Sequence, residues 1–95
     1  MSRFFRRPWD ELRGDAFDSW GKSTWLFDVL DDGTVVRQVE LYEHGQRLRY
    51  HDAHVDDAYG GLSVVSLDLA DFERFEIGAA DFEAVWSSPP WSNGA

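Results

Sequence analysis

The stretch from Trp25 to Tyr50, WLFDVLDDGTVVRQVELYEHGQRLRY, limits the fold most, because it sets two turn signals between three runs of alternating side chains. Trp25, Phe27 and Val29 fall on one face of the first run, with Leu26, Asp28 and Leu30 on the other. That period of two, in aromatic and branched residues, marks a half-buried strand. Asp31-Asp32-Gly33 breaks the run, and Asp-Gly tolerates the positive φ that a type I′ hairpin turn demands, so a turn of that type is expected here. The next run, Thr34 to Tyr42, places Val35, Val39, Leu41 and Arg37 on one face and Val36, Gln38, Glu40 and Tyr42 on the other. Glu43-His44-Gly45 reads as a longer hairpin loop with Gly45 in its left-handed position. The third run, Gln46 to His51, sends Leu48 and Tyr50 one way and Arg47, Arg49 and His51 the other. Connections this short force antiparallel neighbours, since parallel strands need a crossover.

Three strands with one apolar face are near the minimum for a stable sheet and require a cover. Two segments offer one. GAADFEAVW, from Gly78, sets Phe82, Val85 and Trp86 at i, i+3 and i+4, with acids near the start, and predicts a helix capped by Gly78. At the other end, Pro8, Asp10, Glu11 and Gly14 punctuate a short helix over 8–14, preceded by a flexible basic lead over 1–7. Residues 15–22 read as a further helical turn or a loop whose Phe17 and Trp20 tuck against the sheet. FERFEI, Phe72 to Ile77, reads as a fourth strand whose mixed faces suit a sheet edge. The segment 51–63 reads as a loop, Val64 to Leu69 as a brief strand or extended link, and 87–95 as a frayed tail after Pro89-Pro90.

The expected architecture is therefore α+β: an antiparallel meander of three to four strands under a C-terminal helix and a short N-terminal one. It makes a single domain over 1–95, divided into an arm or short helix (1–22), the meander (23–51), a loop (52–71), a strand and helix (72–86) and a tail (87–95). A chain this short buries a modest share of its surface, and its five Trp and seven Phe supply the compensating apolar area.

Charge is distributed unevenly. Residues 1–22 hold five basic side chains, Arg3, Arg6, Arg7, Arg13 and Lys22, against four acidic ones, while 23–95 hold four against fourteen. The net charge of −9 opposes nucleic acid and favours solubility or the steering of a basic protein partner. With no cysteine, disulfides and thiolate chemistry are excluded, and the composition fits a reducing cytoplasm. No apolar run is long enough to span a membrane, so a membrane role is not expected.

Chemistry-bearing clusters are few. His51-Asp52-Ala53-His54-Val55-Asp56-Asp57 gathers imidazoles and carboxylates, and makes His51, His54 and Asp56 weak metal candidates, but its spacing matches no known ligand pattern. Turn formation and solvation explain the same residues. Ser63, Ser66 and nearby His and Asp residues form no nucleophile elbow, phosphate loop or dinucleotide fingerprint, so neither a cofactor nor a catalytic set is expected. Arg37 shares a face with apolar residues and must be paired or reach solvent. Either it meets an acid such as Asp28 or Glu76, or it faces a partner. Tyr42, Tyr50, Tyr59 and Trp91 are contact-aromatic candidates, and Asp52, Asp56 and Asp57 complete a partner-facing set with Arg37, Tyr50 and Tyr59.

Asp31-Asp32-Gly33, then Val36-Arg37-Gln38-Val39-Glu40-Leu41-Tyr42, Gly45 and Phe82-Glu83-Ala84-Val85-Trp86 together resemble a family of small bacterial domains of unknown function. That family shows an acidic turn, V-R-x-V-E-x-Y/F, a glycine turn and a C-terminal F-E-x-x-W helix. The resemblance covers about two-thirds of the chain. It implies a strand ahead of the hairpin, a place held here by Phe4 to Gly21. In general character such acidic domains are similar to immunity proteins that neutralise secreted toxins. The leading expectation is a non-catalytic acidic protein that binds a protein partner, with an immunity-type inhibitor of a basic toxin as its finer form. The alternatives are a subunit that self-associates as a homodimer through a sheet edge or its N-terminal arm, and a metal protein or enzyme built on the 51–57 loop.

Overall fold

A computed structural model describes residues 2–94. The three expected central strands are β2 (Ser23–Val29), β3 (Val35–Tyr42) and β4 (Arg47–Tyr50), and they pair antiparallel in sequence order. Both hairpins close in the same way. The Leu30 N–H donates to the Thr34 carbonyl at 2.9 Å and the Gly33 N–H to the Leu30 carbonyl at 2.9 Å. At the second turn the Tyr42 N–H donates to Gln46 and the Gly45 N–H to Tyr42, at 2.8 and 3.0 Å. Gly33 and Gly45 hold φ of +89° and +98°, and among the described residues only glycines take a positive φ. The first turn is thus not type I′, which requires two positive-φ residues; both are three-residue loops that end on a left-handed glycine. Asp32 assists from its side chain, accepting from the Thr34 N–H at 2.9 Å.

The largest departure from the sequence reading is at the N-terminus. Arg3–Trp9 is not a flexible lead running into a helix but strand β1, paired along its length with β2. Adjacent Phe4 and Phe5 conceal it, because alternation signals a strand only when one face is wet. Here both faces are covered: Phe4 packs with Leu26, Val39 and Phe82, and Phe5 with Phe27, Val29 and Val35. Pro8 lies beyond the two residues, Phe4 and Phe5, that pair with the outermost strand, so its missing N–H costs little. The expected helix over 8–14 is absent; a 3-10 turn at Asp18–Trp20 is the helical element between β1 and β2.

Among the described residues, five strands form one sheet in the order β4-β3-β2-β1-β7, where β7 is Glu76–Ile77. The expected fourth strand is shortened to those two residues, because Leu69–Phe72 forms α1 and Glu73–Phe75 a 3-10 turn. The Asp68 side chain caps α1 by accepting from the Ala70 N–H at 3.0 Å. Gly78 precedes α2 (Ala79–Trp86), as the sequence predicts. A two-stranded hairpin, β5 (Asp56–Asp57) and β6 (Gly60–Gly61), lies within the segment read as loop.

α2 covers one sheet face, where fully buried Phe82 meets Leu26 and Val39. The opposite face is covered by 55–72 and by Trp20, over Phe27, Val29, Tyr42, Leu48 and Tyr50. Val35 belongs to this second face rather than with Val39. The register shifts between Asp28 and Val29, pairing Val29 with Val35 and leaving Val36 over, and the extra residue inverts the parity beyond it. The tail also differs from expectation. The Ser92 N–H donates to the Arg47 carbonyl at 2.7 Å, Ser92 Oγ accepts from the Arg47 N–H, and Asn93 Nδ2 donates to the Arg49 carbonyl at 2.9 Å. The free edge of β4 is thereby occupied. No helix among the described residues is long and apolar enough to cross a membrane.

Candidate functional site

Alternate residues of one strand share a face, so Gln38, Glu40 and Tyr42 of β3 all point toward the covered second face. Glu40 is 3% exposed. Its carboxylate accepts from Gln38 Nε2 at 2.9 Å and from the Tyr42 hydroxyl. Burial holds its pKa above the usual carboxylate range, although these donors and Arg13 oppose the rise. The Tyr42 hydroxyl is raised as well, by burial and by the carboxylate it serves.

Arg13 reaches this pair from the loop between β1 and β2. Its Nη1 donates to the Tyr42 hydroxyl at 3.0 Å and lies 3.9 Å from Glu40 Oε1, and its Nη2 donates to the Tyr59 carbonyl. The guanidinium rests 5.1 to 5.6 Å from the ring centres of Phe17, Trp20 and Tyr42. Asp15 aims it, accepting from Nε at 3.0 Å while holding the Phe17 N–H at 2.8 Å. Arg13 therefore offsets the charge of Glu40 without binding it directly.

Above Glu40 lies an open cleft of about 360 Å³. Trp9 and Trp25 contribute to its lining, as do Tyr59, Gly60 and Gly61, with Glu11, Arg13, Asp15 and Ser23 adding polar groups. Gln38 fixes the β5–β6 hairpin beside it, donating to the Gly61 carbonyl at 3.1 Å and accepting from the Ser63 N–H at 2.9 Å. The arrangement is a concave surface with acid at its floor and aromatic rings in its walls.

The residues singled out from sequence take varied places. Tyr50 is fully buried and donates to Asp57 at 2.9 Å. Asp57 also accepts from the Tyr59 N–H at 2.9 Å and from Asn93 at 3.0 Å, and His54 Nε2 lies 2.8 Å from it. Burial pushes the Asp57 carboxyl up, but these four partners outweigh it and bring its pKa to about 2. Tyr50 is thus an interior fastening, and half-buried Asp57 spends its oxygens on donors of the same chain. Tyr59 is half-buried against Phe17 and Trp20 and borders the cleft. Asp52 and Asp56 are exposed. His51 turns its ring to Trp86 at 5.6 Å, and its backbone bridges to His54. No three His, Asp or Glu side chains among the described residues converge where an ion could be held.

Arg37 spends its donors inside the chain. Its Nε donates to Asp28 at 2.7 Å, Nη1 to Glu83 at 3.2 Å and Nη2 to the same carboxylate. Its guanidinium lies over Phe82 and Trp86, 4.8 and 5.1 Å from their centres. Asp28 is the acid named from sequence; the second is Glu83, because Glu76 is held by Arg3 at 3.0 Å. Two motifs of the resemblance, the arginine of β3 and the F-E-x-x-W helix, meet in this clamp.

Sequence reasoning passed over Glu40 and Arg13. The signal for Glu40 was its position between Gln38 and Tyr42 on a strand whose other face already carried Val39. The signal for Arg13 was nil, since a loop arginine 29 residues before the Tyr42 it serves points nowhere by pattern. The chain matches no family model, and comparison with curated proteins and with solved structures returns no match.

Proposed function

We propose that this chain is a non-catalytic acidic binding protein that engages a protein partner through the cleft over Glu40, with a basic side chain of the partner as its anchor. One observation carries the reading: a carboxylate lies at the floor of an open cleft with its nearest cation 3.9 Å away, beyond hydrogen-bond distance. A buried acid so placed gains from a cation delivered from outside, where a charge-assisted bond is shielded from water. Aromatic walls at Trp9 and Trp25 supply the contact area that interfaces favour. Glu11 and Asp15 extend the acidic field to the rim, and the net charge of −9 favours encounter with a basic surface. An immunity-type inhibitor of a basic toxin is the finer form of this reading, and the cysteine-free chain suits action in the cytoplasm.

The test is selection of a random displayed peptide library on wild-type protein and on Glu40→Gln. Wild type should select Arg or Lys beside an aromatic residue, with binding that weakens as salt rises. Glu40→Gln, checked for an intact melting transition, should lose that preference. An unchanged consensus on the variant refutes the role of Glu40, and selection of acidic or neutral peptides by wild type refutes the basic partner.

A further inference from the structure

We propose that a second cavity, which shares the Trp9 and Trp25 walls with the Glu40 cleft, binds a small amphipathic monocarboxylate, with Arg7 gripping the carboxylate. The cavity measures about 310 Å³ and is lined by Arg7, Trp9, Trp25, Phe27, Leu67 and Phe72. That volume lies at the lower end for ligand sites. At the ~30 Å³ that a water occupies, it holds roughly ten heavy atoms. The lining is hydrocarbon and ring apart from Arg7, because Trp25 turns its one polar atom away and donates Nε1 to Ser23 Oγ at 2.8 Å.

Arg7 is the second observation. Its guanidinium lies 5.0 Å from the ring centres of Trp9 and Phe72 and 5.2 Å from that of Phe75. No hydrogen bond or ion pair to another described residue engages it, whereas Arg3, Arg13 and Arg37 each hold a carboxylate. A guanidinium framed by rings keeps its planar fork oriented with its donors unspent, which is the geometry that grips a carboxylate bidentately. Asp71 and Glu73 share a second pocket with Arg7 and Arg74, so the local charge sums to zero and disfavours a dianion such as a phosphate monoester. An apolar cavity beside an unspent monocation therefore matches a single carboxylate carrying an aliphatic or aryl body.

The probe is octanoate, whose ten heavy atoms suit the cavity, with octan-1-ol and octylamine as controls of the same length. Calorimetric titration of the whole chain should show one saturable octanoate site below about 1 mM, at least tenfold tighter than octanol, a difference of about 1.4 kcal/mol. Octylamine should bind more weakly than either. Arg7→Gln should bring octanoate to the level of octanol while octanol binding stays unchanged, and Arg7→Lys should fall between, keeping the charge without the fork. Octanol binding as tightly as octanoate, octanoate binding unaltered by Arg7→Gln, or no saturable octanoate site in that range overturns the proposal. A tripeptide with a C-terminal leucine binding more tightly than octanoate would overturn the free small molecule in favour of a protein C-terminus.

Discussion

Replacing Arg37 with methionine should destabilise the fold more than any other single loss of charge on this sheet. Asp28 is 4% exposed, and its Oδ1 has no hydrogen-bond partner. Its Oδ2 depends on Arg37 Nε at 2.7 Å. Removing the arginine leaves that carboxylate buried and uncompensated, a defect of about 3–5 kcal/mol. Methionine lacks the guanidinium that lies over Phe82 and Trp86, which adds about 1 kcal/mol of lost cation–π attraction. Glu83 contributes less than about 1 kcal/mol, since its side chain is 47% exposed. For a domain of this length each kcal/mol moves the midpoint by about 4–8 °C, so Arg37→Met should melt roughly 12–40 °C lower. Urea unfolding with an unchanged slope would confirm that the change lies in the native state. The double variant Asp28→Asn with Arg37→Met removes the stranded charge and should recover more than half of the loss. A loss under about 1 kcal/mol for the single variant, or no recovery in the double, would refute the stranded-charge argument.

Two further outcomes follow from the geometry. Asp57, held at about 2 against an ordinary 3.8, stabilises the fold above pH 4 and loses that contribution as pH falls toward 2; Asp57→Asn should cost about 2 kcal/mol at neutral pH and flatten that acid limb of the stability profile. Gly33→Ala and Gly45→Ala form a matched pair in chemical denaturation. Both residues have positive φ and share the ~1–2 kcal/mol penalty for a side chain there, but a Cβ on Gly33 would lie 2.3 Å from the Leu67 carbonyl oxygen while Gly45 faces open space. Gly33→Ala should therefore cost at least about 1 kcal/mol more, and equal costs would show that the Gly33–Leu67 contact yields freely.

The central meander was legible because local chemistry alone specifies it. Alternation over Trp25–Val29 and Arg47–Tyr50, glycines at 33 and 45, and the Phe82, Val85, Trp86 stripe each report a preference expressed within a few residues. Leu48 and Tyr50 are buried as their parity requires. Arg37 was legible by the same logic: a charge on an apolar face needs a neighbour, and Asp28 on the adjoining strand supplies it. What the pattern could not contain was the number of faces that would be covered. With both sides of β1 buried, Phe4-Phe5 ceases to alternate, and the bulge at Val29 moves Val35 to the other side.

The candidate sites were hidden for the same reason. Glu40 becomes a floor only when 55–72 and Trp20 fold over its face, and Arg13 becomes its counter-charge only when β1 places the following loop beside it. Arg7 looked like one more solvated cation until α1 and the 3-10 turn set Phe72 and Phe75 against it. The amino-acid sequence by itself determined the strands, turns and helix of the hairpin core, since those depend on short-range sterics and hydrogen bonding. Only the tertiary structure decided which polar groups lost their water, because desolvation depends on segments that meet from far apart along the chain.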